Sequence, residues 1–394
     1  MIRAYKYRFY PSKEQKAKLD LTLQLCCRLY NAALEQRQHA YKSGRPINYG
    51  TQQNQLPELK EGIPEYFQVQ SQVLQNVLRR VDRAFTNFFG RVERRRKGAH
   101  IAAGYPRFKP SRRYNSITYP QTQKYKIIGG QVTLPKVGKL RVFMHRDPVG
   151  EIKTMTVKRD SVGDWYIIFT MELPDVPQKT PSSAIGIDVG LIKLVQASNG
   201  EFVEGRQFYY ESEEALKRAQ RQLSRKTKGS KNREKARIKV AKIHRKIQRR
   251  RDYFLHKVSK ELVSRADLLV FEDLPINNMV KNPTLSKSIY DASWGKLYQY
   301  ASYKASSAGR SAVRVDSKGT TRDCACGNTV KLSLSDRVFQ CPKCGLTIDR
   351  DLHGSFGALR KVGWEAAELT PVEMRPLLAG KPASLVKEAG SLRR

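Results

Sequence analysis

Four cysteines clustered in one short segment constrain the fold of this chain more than any other feature. Cys324 and Cys326 form "CACG", and Cys341 and Cys344 form "CPKCG". Two such pairs, each followed by glycine, are typical of a zinc ribbon in which four thiolates bind one Zn²⁺ tetrahedrally. Because four protein ligands leave no open coordination position, we predict a structural ribbon. The first pair is C-x-C rather than C-x-x-C, so its geometry is tighter than usual.

Three acidic residues stand where a carboxylate is costly unless it meets a cation or a hydrogen-bond network. Asp188 ends the apolar run "AIGID", Glu272 ends "LLVFE", and Asp351 opens a predicted helix just after the cysteines. Each of them alone could be a solvent-facing strand end or a helix cap. If the fold brings them together, they call for Mg²⁺ or Mn²⁺, which prefer oxygen ligands. Two such ions about 4 Å apart can activate a water and stabilise the leaving oxygen of a phosphodiester.

The charge of the chain indicates a polyanionic partner. Lys and Arg number 74 against 36 Asp and Glu, a formal net charge of +38 over 394 residues. Nucleic acid rewards many such contacts at once, because each neutralised phosphate releases counterions. An anionic membrane surface is the alternative, but the charge is spread along the chain and no lipidation motif occurs. We expect no membrane-spanning helix, no secretory signal and a reducing cytoplasmic environment.

Two segments are candidates for nucleic-acid contact. Residues 217–251 contain 17 Lys or Arg and one acid, Glu234, a density that destabilises an isolated helix unless phosphates lie along it, although a solvated basic face is the alternative. Residues 105–120 interleave aromatic and basic side chains, which fits base stacking with phosphate contact, although loop packing is the alternative. The predicted contacts are Arg221, Arg225, Lys226, Lys228, Lys231, Arg233, Arg237, Lys242, Arg245, Arg249, Arg112 and Arg113.

The hydrophobic periodicity divides the chain into regions. Helical spacing follows a capping-box pattern at Ser12 and Gln15, and spacing of two with glycine-containing turns follows from about residue 118. The same patterns predict core thiols at Cys26 and Cys27, a hairpin turn at Asn199-Gly200 and a break of the basic helical tract near Gly229. The second pattern predicts a small antiparallel barrel that the first strand of the chain joins. The predicted domains are a barrel at 1–12 and 118–180, a helical domain at 13–117, an α/β domain at 181–362 with the ribbon at 319–348, and a loose tail at 363–394.

Several long motifs closely resemble the TnpB family, which bacterial and archaeal insertion sequences encode. They include "YKYRFYPSKEQ", "GIDVGLIKLVQASNG", "FEDLPINNM", "DASWGKLYQYASYKA" and "CPKCGLTIDRDLHGS". The resemblance covers residues 1–45 and almost all of 184–360. It implies an RNA-guided DNA endonuclease related to type V CRISPR effectors. The implied fold is multidomain α+β and α/β, with a β-barrel wedge domain, an inserted helical recognition domain, and an RNase H-like RuvC nuclease domain carrying the zinc ribbon.

The resemblance also implies the site and its partners. Asp188, Glu272 and Asp351 would be the catalytic residues that bind Mg²⁺ or Mn²⁺, with Asp349 a neighbour rather than a ligand. A guide RNA cut from the transposon end would pair with double-stranded target DNA beside a short flanking motif, in the prokaryotic cytoplasm at the nucleoid. The oligomeric state stays open between a monomer and a dimer on RNA.

The chain departs from the family pattern after the last aspartate, where Asn-Ala-Ala is usual and His353, Gly354 and Ser355 stand here. This departure leaves room for a nuclease-inactive, RNA-guided DNA-binding repressor. A transposase is a further alternative, but strand-transfer enzymes of RNase H fold usually place glutamate last. A purely structural RNA-binding protein would have no need of strand-end carboxylates.

Overall fold

The computed structural model describes residues 1–120, 127–333, 335–364 and 373–378, and the chain divides into two compact units, Met1–Pro174 and Asp175–Arg394. The first unit combines a sheet with long helices. Its elements are β1 (Ile2–Phe9), α1 (Lys13–Lys42), α2 (Tyr49–Asn54), α3 (Leu56–Gly62), α4 (Ser71–Arg96), β2 (Ser116–Tyr119), β3 (Ile127–Ile128), β4 (Gln131–Leu134), β5 (Gly138–Phe143), β6 (Glu151–Arg159) and β7 (Trp165–Glu172), with 3₁₀ turns at Pro64–Gln68 and Ser111–Arg113.

The strands of the first unit form one antiparallel sheet in the order β2-β6-β7-β1-β5-β4-β3. The first strand of the chain belongs to this sheet, because β1 pairs with both β7 and β5. Tyr5, Tyr7 and Phe9 alternate along β1 and are buried. Residues 121–126 lie outside the described part of the chain, between the two end strands β2 and β3, and closure into a barrel stays a prediction.

Helix α1 begins where the capping box predicts. Ser12 Oγ accepts the backbone N–H of Gln15 at 3.2 Å, and Gln15 Oε1 accepts that of Ser12 at 3.0 Å. The apolar faces of α1 and α4 share one core with the sheet. Cys26 and Cys27 are buried free thiols in that core, as the helical pattern predicts.

The second unit alternates strands and helices. Its elements are β8 (Ala184–Asp188), β9 (Lys193–Ala197), β10 (Glu201–Glu204), α5 (Tyr210–Ser224), α6 (Lys231–Arg265), β11 (Leu268–Asp273), α7 (Ile276–Met279), α8 (Ser286–Ala292), α9 (Trp294–Ser307), β12 (Ser311–Asp316), β13 (Val338–Gln340), β14 (Thr347–Asp349), α10 (Arg350–Arg360) and β15 (Arg375–Pro376). The predicted break in the basic helical tract is confirmed, since α5 and α6 are separated at Gly229, whose φ is +87°.

The main sheet of the second unit has the order β12-β11-β8-β9-β10-β15. Strands β8, β11 and β12 run parallel, while β9 is antiparallel to β8 and returns to β10 through the predicted turn at Gly200. Because β8 and β11 are parallel neighbours, their carboxyl ends lie at the same edge of the sheet. Helices α6 and α9 pack against it through a shared apolar core.

The expectation of a loose tail over 363–394 is wrong at Arg375–Pro376. These residues form β15, which pairs in parallel with β10, and Leu377 is buried beside it. Arg375 Nε also lies 3.7 Å from Glu201 Oε1, a buried carboxylate that Arg265 contacts as well. The rest of the predicted tail, at 365–372 and 379–394, lies outside the described residues. Among the helices that are described, none is long and apolar enough to cross a membrane.

Candidate metal centres and basic surface

The sheet of the second unit brings two of the predicted carboxylates together. Asp188 is the last residue of β8, and Glu272 stands on the neighbouring strand β11, where Phe271 is in register with Ile187. Glu272 is buried and Asp188 is partly exposed. The aliphatic residues before each of them fill the core on both faces of the sheet, so the carboxylates emerge where the strands end.

Helix α10 brings the third carboxylate to the same edge. It packs on β8 so closely that a Cβ at Gly186 would lie 1.8 Å from the carbonyl oxygen of Ser355. A Cβ at Gly357 would lie 2.0 Å from the carbonyl oxygen of Thr320, on the loop that leads from β12 to Cys324. These two glycines, which sequence reasoning did not single out, permit the approach that places Asp351 near Asp188.

Burial and neighbouring carboxylates raise the pKa values of two of the three residues. Burial, followed by the charges of Glu272 and Asp351, raises the pKa of Asp188, while Arg350 acts in the opposite direction. Burial raises the pKa of Glu272 to about 7, against a hydrogen bond from Thr320 and with a further contribution from Asp351. One oxygen of Glu272, Oε1, is buried and has no hydrogen-bond partner among the described residues. Mutual repulsion and an unpartnered buried oxygen are what a divalent cation would relieve.

The three carboxylates are less closely grouped than the four ribbon cysteines. Across the described ranges, the ligand atoms of the four ribbon cysteines form the one acidic, histidine or cysteine group whose members all lie within 4.8 Å of one another. Asp188, Glu272 and Asp351 interact electrostatically but do not form such a group. The donor set nevertheless fits the chemistry of Mg²⁺ or Mn²⁺, which take carboxylate oxygens.

Asp349 has a different role from Asp351. Its Oδ1 accepts the backbone N–H groups of Asp351 and Leu352, each at 3.0 Å, and so caps α10. Its Oδ2 lies 3.1 Å from Lys193 Nζ. Both oxygens are therefore engaged within the protein. Lys193, which no sequence signal identified, is the residue that completes this arrangement.

The four cysteines come together as the ribbon pattern predicts. Sγ of Cys324 lies 3.6 Å from that of Cys344, and Sγ of Cys326 lies 3.5 Å from that of Cys341. Burial opposes ionisation of Cys341, but hydrogen bonds from the Cys344 and Lys343 backbone and from neighbouring thiols lower its pKa to about 6. A thiolate so favoured suits Zn²⁺, and the short first pair does not prevent convergence. The ribbon strands β13 and β14 pair antiparallel, and β14 leads directly into α10.

The predicted nucleic-acid contacts separate into two groups. Arg233 is held by the protein itself, since its Nη1 donates to the carbonyl oxygens of Leu223 at 3.0 Å and Lys226 at 2.6 Å and so closes the turn between α5 and α6. Arg237 pairs with Glu234 at 2.6 Å, and Arg245 is partly buried. The exposed positions are Arg221, Arg225, Lys226, Lys228, Lys231, Arg237, Lys242 and Arg249 in the second unit and Arg112 and Arg113 in the first.

The aromatic residues of segment 105–120 also divide. Tyr114 and Tyr119 are buried and pack in the core of the first unit, as the packing alternative predicts. Tyr105 and Phe108 are exposed. Tyr105 and Phe108 line a cavity of about 610 Å³ with Arg80, Arg91 and Arg107 among its other walls.

Comparison with solved structures gives the class of fold. The chain matches the Cas12f1 protein of a cryo-EM structure of a Cas12f1–sgRNA–target DNA complex at a TM-score of 0.54 and 12% identity, covering 91% of this chain and 98% of that one. It matches a structure of the mini-RNA-guided endonuclease CRISPR-Cas_phi3 at a TM-score of 0.50 and 10% identity, covering 91% and 92%. The chain therefore has the mixed α/β fold that compact CRISPR effectors also have.

Comparison of sequences gives the family. A relative from Streptomyces pristinaespiralis named "Putative RNA-guided DNA endonuclease" is 36% identical over 91% of this chain and 88% of its own length. One from Escherichia coli K12, "Putative RNA-guided DNA endonuclease InsQ", is 31% identical over 91% and 92%. The chain belongs to the TnpB family, also denoted OrfB of IS605.

Family models match three stretches of the chain. OrfB_IS605, described as "Probable transposase", matches residues 168–283, and a "Cas12f1-like, TNB domain" matches 294–357. A "Helix-turn-helix domain" matches 1–46, where the structure has the strand β1 followed by the single helix α1.

Proposed function

We propose that this chain is an RNA-guided DNA endonuclease of an insertion sequence, which cuts target DNA beside a short flanking motif by metal-dependent hydrolysis. The observation that carries the proposal is the convergence of Asp188, Glu272 and Asp351 at one edge of a sheet. The names of the relatives at 36% and 31% identity support the same reading.

The parts of the chain would divide the work as follows. The antiparallel sheet of the first unit would be the wedge domain, and helices α1 to α4 the recognition domain inserted into it. The main sheet of the second unit would be a RuvC-like nuclease domain, with the cysteine ribbon inserted before α10. Similarity of fold to Cas12f1 supports this division.

At the proposed site, Asp188, Glu272 and Asp351 would hold one or two Mg²⁺ or Mn²⁺ ions. When bound, such ions polarise the scissile phosphate and activate a water for attack. The chain's own task is to present three ionised carboxylates. Burial raises the pKa of Asp188, and it raises that of Glu272 to about 7, so metal binding should release a proton from Glu272 near neutral pH. Arg350, whose Nη2 lies 3.6 Å from Asp351 Oδ1, acts to lower the pKa of Asp188 against the effect of burial.

Guide RNA and target DNA would lie against the exposed Lys and Arg side chains of α5 and α6 and against Arg112 and Arg113. The formal net charge of +38 leaves the compact chain self-repelling without a polyanion. Base pairing would choose the target, while the protein reads backbone shape and the flanking motif.

The nuclease-inactive alternative rested on the departure at His353, Gly354 and Ser355. A Cβ at Gly354 would meet Asp188 Cγ at 3.5 Å, an ordinary contact, so the glycine neither removes a ligand nor distorts the site. The test is purification with bound RNA, sequencing of that RNA, and incubation with a plasmid library of randomised flanking motifs in Mg²⁺. We expect one enriched RNA and cuts beside one motif. Target binding without cuts in Mg²⁺ or Mn²⁺ would favour the repressor, and heterogeneous RNA would argue against a dedicated guide.

A further inference from the structure

His353 makes an unusual contact for a histidine on the helix that carries Asp351. Its ring lies on the ring of Phe339, with centroids 3.6 Å apart and planes 9° from parallel. Both residues have no solvent exposure. Phe339 belongs to the small core of the ribbon, together with Cys324 and Cys341. The stack therefore joins the first turn of α10 to the metal-binding part of the ribbon.

Shape, and not hydrogen bonding, holds this ring in place. Neither ring nitrogen of His353 has a hydrogen-bond partner of acceptable geometry among the described residues, although the Thr321 backbone lies close enough to affect its pKa. Two unpartnered nitrogens in a buried position are costly. We therefore attribute the stack on Phe339 to the flat face of the His353 ring.

A neighbouring face of the same turn lies beside the acidic site. A Cβ at Gly354 would lie 3.5 Å from Asp188 Cγ and 3.6 Å from its Oδ2. Consecutive residues of α10 thus stand against the ribbon core, at His353, and beside Asp188, at Gly354. Because Asp351 lies two residues before His353 on this turn, any rotation of α10 about its axis would move the Asp351 carboxylate relative to Asp188 and Glu272.

We propose that His353 is a positioning residue for divalent-metal binding. Its stack on Phe339 fixes the rotation of α10, so the orientation of the Asp351 carboxylate depends on an intact ribbon. This rests on the proposed function of Asp188, Glu272 and Asp351. Residues that orient metal ligands from behind typically change metal affinity by about 10- to 100-fold when replaced. The role needs a flat buried ring and no ring nitrogen.

Two substitutions separate the ring from its size and polarity. His353→Phe keeps the flat ring and removes both nitrogens. His353→Leu also removes the nitrogens and fills the buried position with an apolar side chain, but it has no planar ring to stack on Phe339. His256→Leu is the matched control, because His256 also stacks on an aromatic ring, that of Tyr300 at 4.0 Å and 5°, on helices α6 and α9. Asp351→Ala removes a proposed ligand and so shows how much metal binding remains without the complete site.

The experiment is titration of Mn²⁺ into the nuclease-treated, zinc-loaded full-length protein, followed by electron paramagnetic resonance, with zinc content measured on the same samples. We expect His353→Phe and His256→Leu to bind Mn²⁺ within about twofold of the parent and His353→Leu to bind about tenfold more weakly. Parent-like affinity in His353→Leu, or a loss in His353→Phe equal to that in His353→Leu, overturns the proposal.

If His353→Leu loses its zinc, the proposal is decided by Cys344→Ser instead, because this variant removes a ribbon ligand and leaves His353 in place. The proposal requires this variant to bind Mn²⁺ more weakly as well, and unchanged affinity overturns it. The measurement needs no guide and no DNA. A parent protein that binds Mn²⁺ through Asp351 yet never cuts would therefore overturn the endonuclease and leave the positioning role intact. Mn²⁺ binding that is independent of Asp351 would remove the proposed site itself.

Discussion

Oδ1 of Asp349 lies 3.0 Å from the backbone nitrogen of Asp351, so the first aspartate caps the helix that carries the second. This relationship explains why a strongly basic chain places two aspartates directly after a cysteine pair. One holds the start of α10 together with Lys193, and the other faces Asp188 and Glu272. The two residues should therefore respond differently to the same substitution.

Asp351→Ala is expected to abolish cleavage by several orders of magnitude, because members of a metal-binding set act as a unit. Asp349→Ala should cost about 1 kcal/mol of stability through the lost cap and retain measurable cleavage. Single-turnover rates with guide RNA and Mg²⁺, together with thermal unfolding, separate the two effects. A dead Asp349→Ala beside an active Asp351→Ala would reverse the assignment within "DRD".

Glu272→Gln is expected to stabilise the protein in Mg²⁺-free buffer while abolishing cleavage. The pKa of Glu272 is raised from 4.5 to about 7 on folding. The folded chain therefore binds this proton more tightly, and the resulting stability is complete below about pH 4.5 and lost as the pH rises through 7. The glutamine variant escapes that loss, so its advantage over the parent should grow between pH 5 and 8, to at most about 3 kcal/mol. Thermal unfolding at several pH values measures it, and an advantage that shrinks with pH would contradict the argument.

Elemental analysis is expected to give about one zinc per chain in protein purified without chelator. Cys341→Ser should lose this zinc and unfold at a lower temperature, because metal-binding free energy is folding free energy in such ribbons. Cys27→Ala, which alters a buried thiol of the first unit, should keep its zinc. A parent protein without zinc would exclude the ribbon's proposed metal.

Replacing Arg221, Lys228 and Lys242 by glutamine should weaken RNA binding and reduce the slope of log K against log salt by about two to three. These side chains are exposed on α5, on the loop that follows it and on α6. Arg233→Gln is the matched control, because its guanidinium closes the turn between those helices. It should lower thermal stability with a nearly unchanged salt slope. Equal slopes in the triple variant and the parent would place the RNA elsewhere.

The strands and the carboxylates that end them could be predicted because burial imposes a local pattern. "AIGID" and "LLVFE" announce buried strands, and the parallel pairing of β8 and β11 then places Asp188 beside Glu272. The capping box at Ser12 and the turn at Gly200 are equally local signals, and both are confirmed.

Contacts between distant segments could not be predicted in this way. Lys193 meets Asp349, and His353 meets Phe339, only once α10 has packed on β8 at Gly186 and on Thr320 at Gly357. The strand at Arg375–Pro376 likewise depends on an available edge at β10, which its own Pro-containing sequence does not indicate. The sequence does not distinguish Arg233 from the other basic residues of its tract, because its partners are carbonyl oxygens of the turn between α5 and α6.

Exchange of the guide tests the central claim most directly. The RNA that copurifies with the protein would be remade with a new targeting sequence, and both RNAs would be assayed with the parent and Asp188→Ala proteins on a plasmid carrying both targets in Mg²⁺. We predict that the parent protein cuts the original target with the original RNA and the new target with the new RNA, and that Asp188→Ala cuts neither. Cuts that stay at one site whichever RNA is supplied, or that persist in Asp188→Ala, would contradict an RNA-guided nuclease acting through this site.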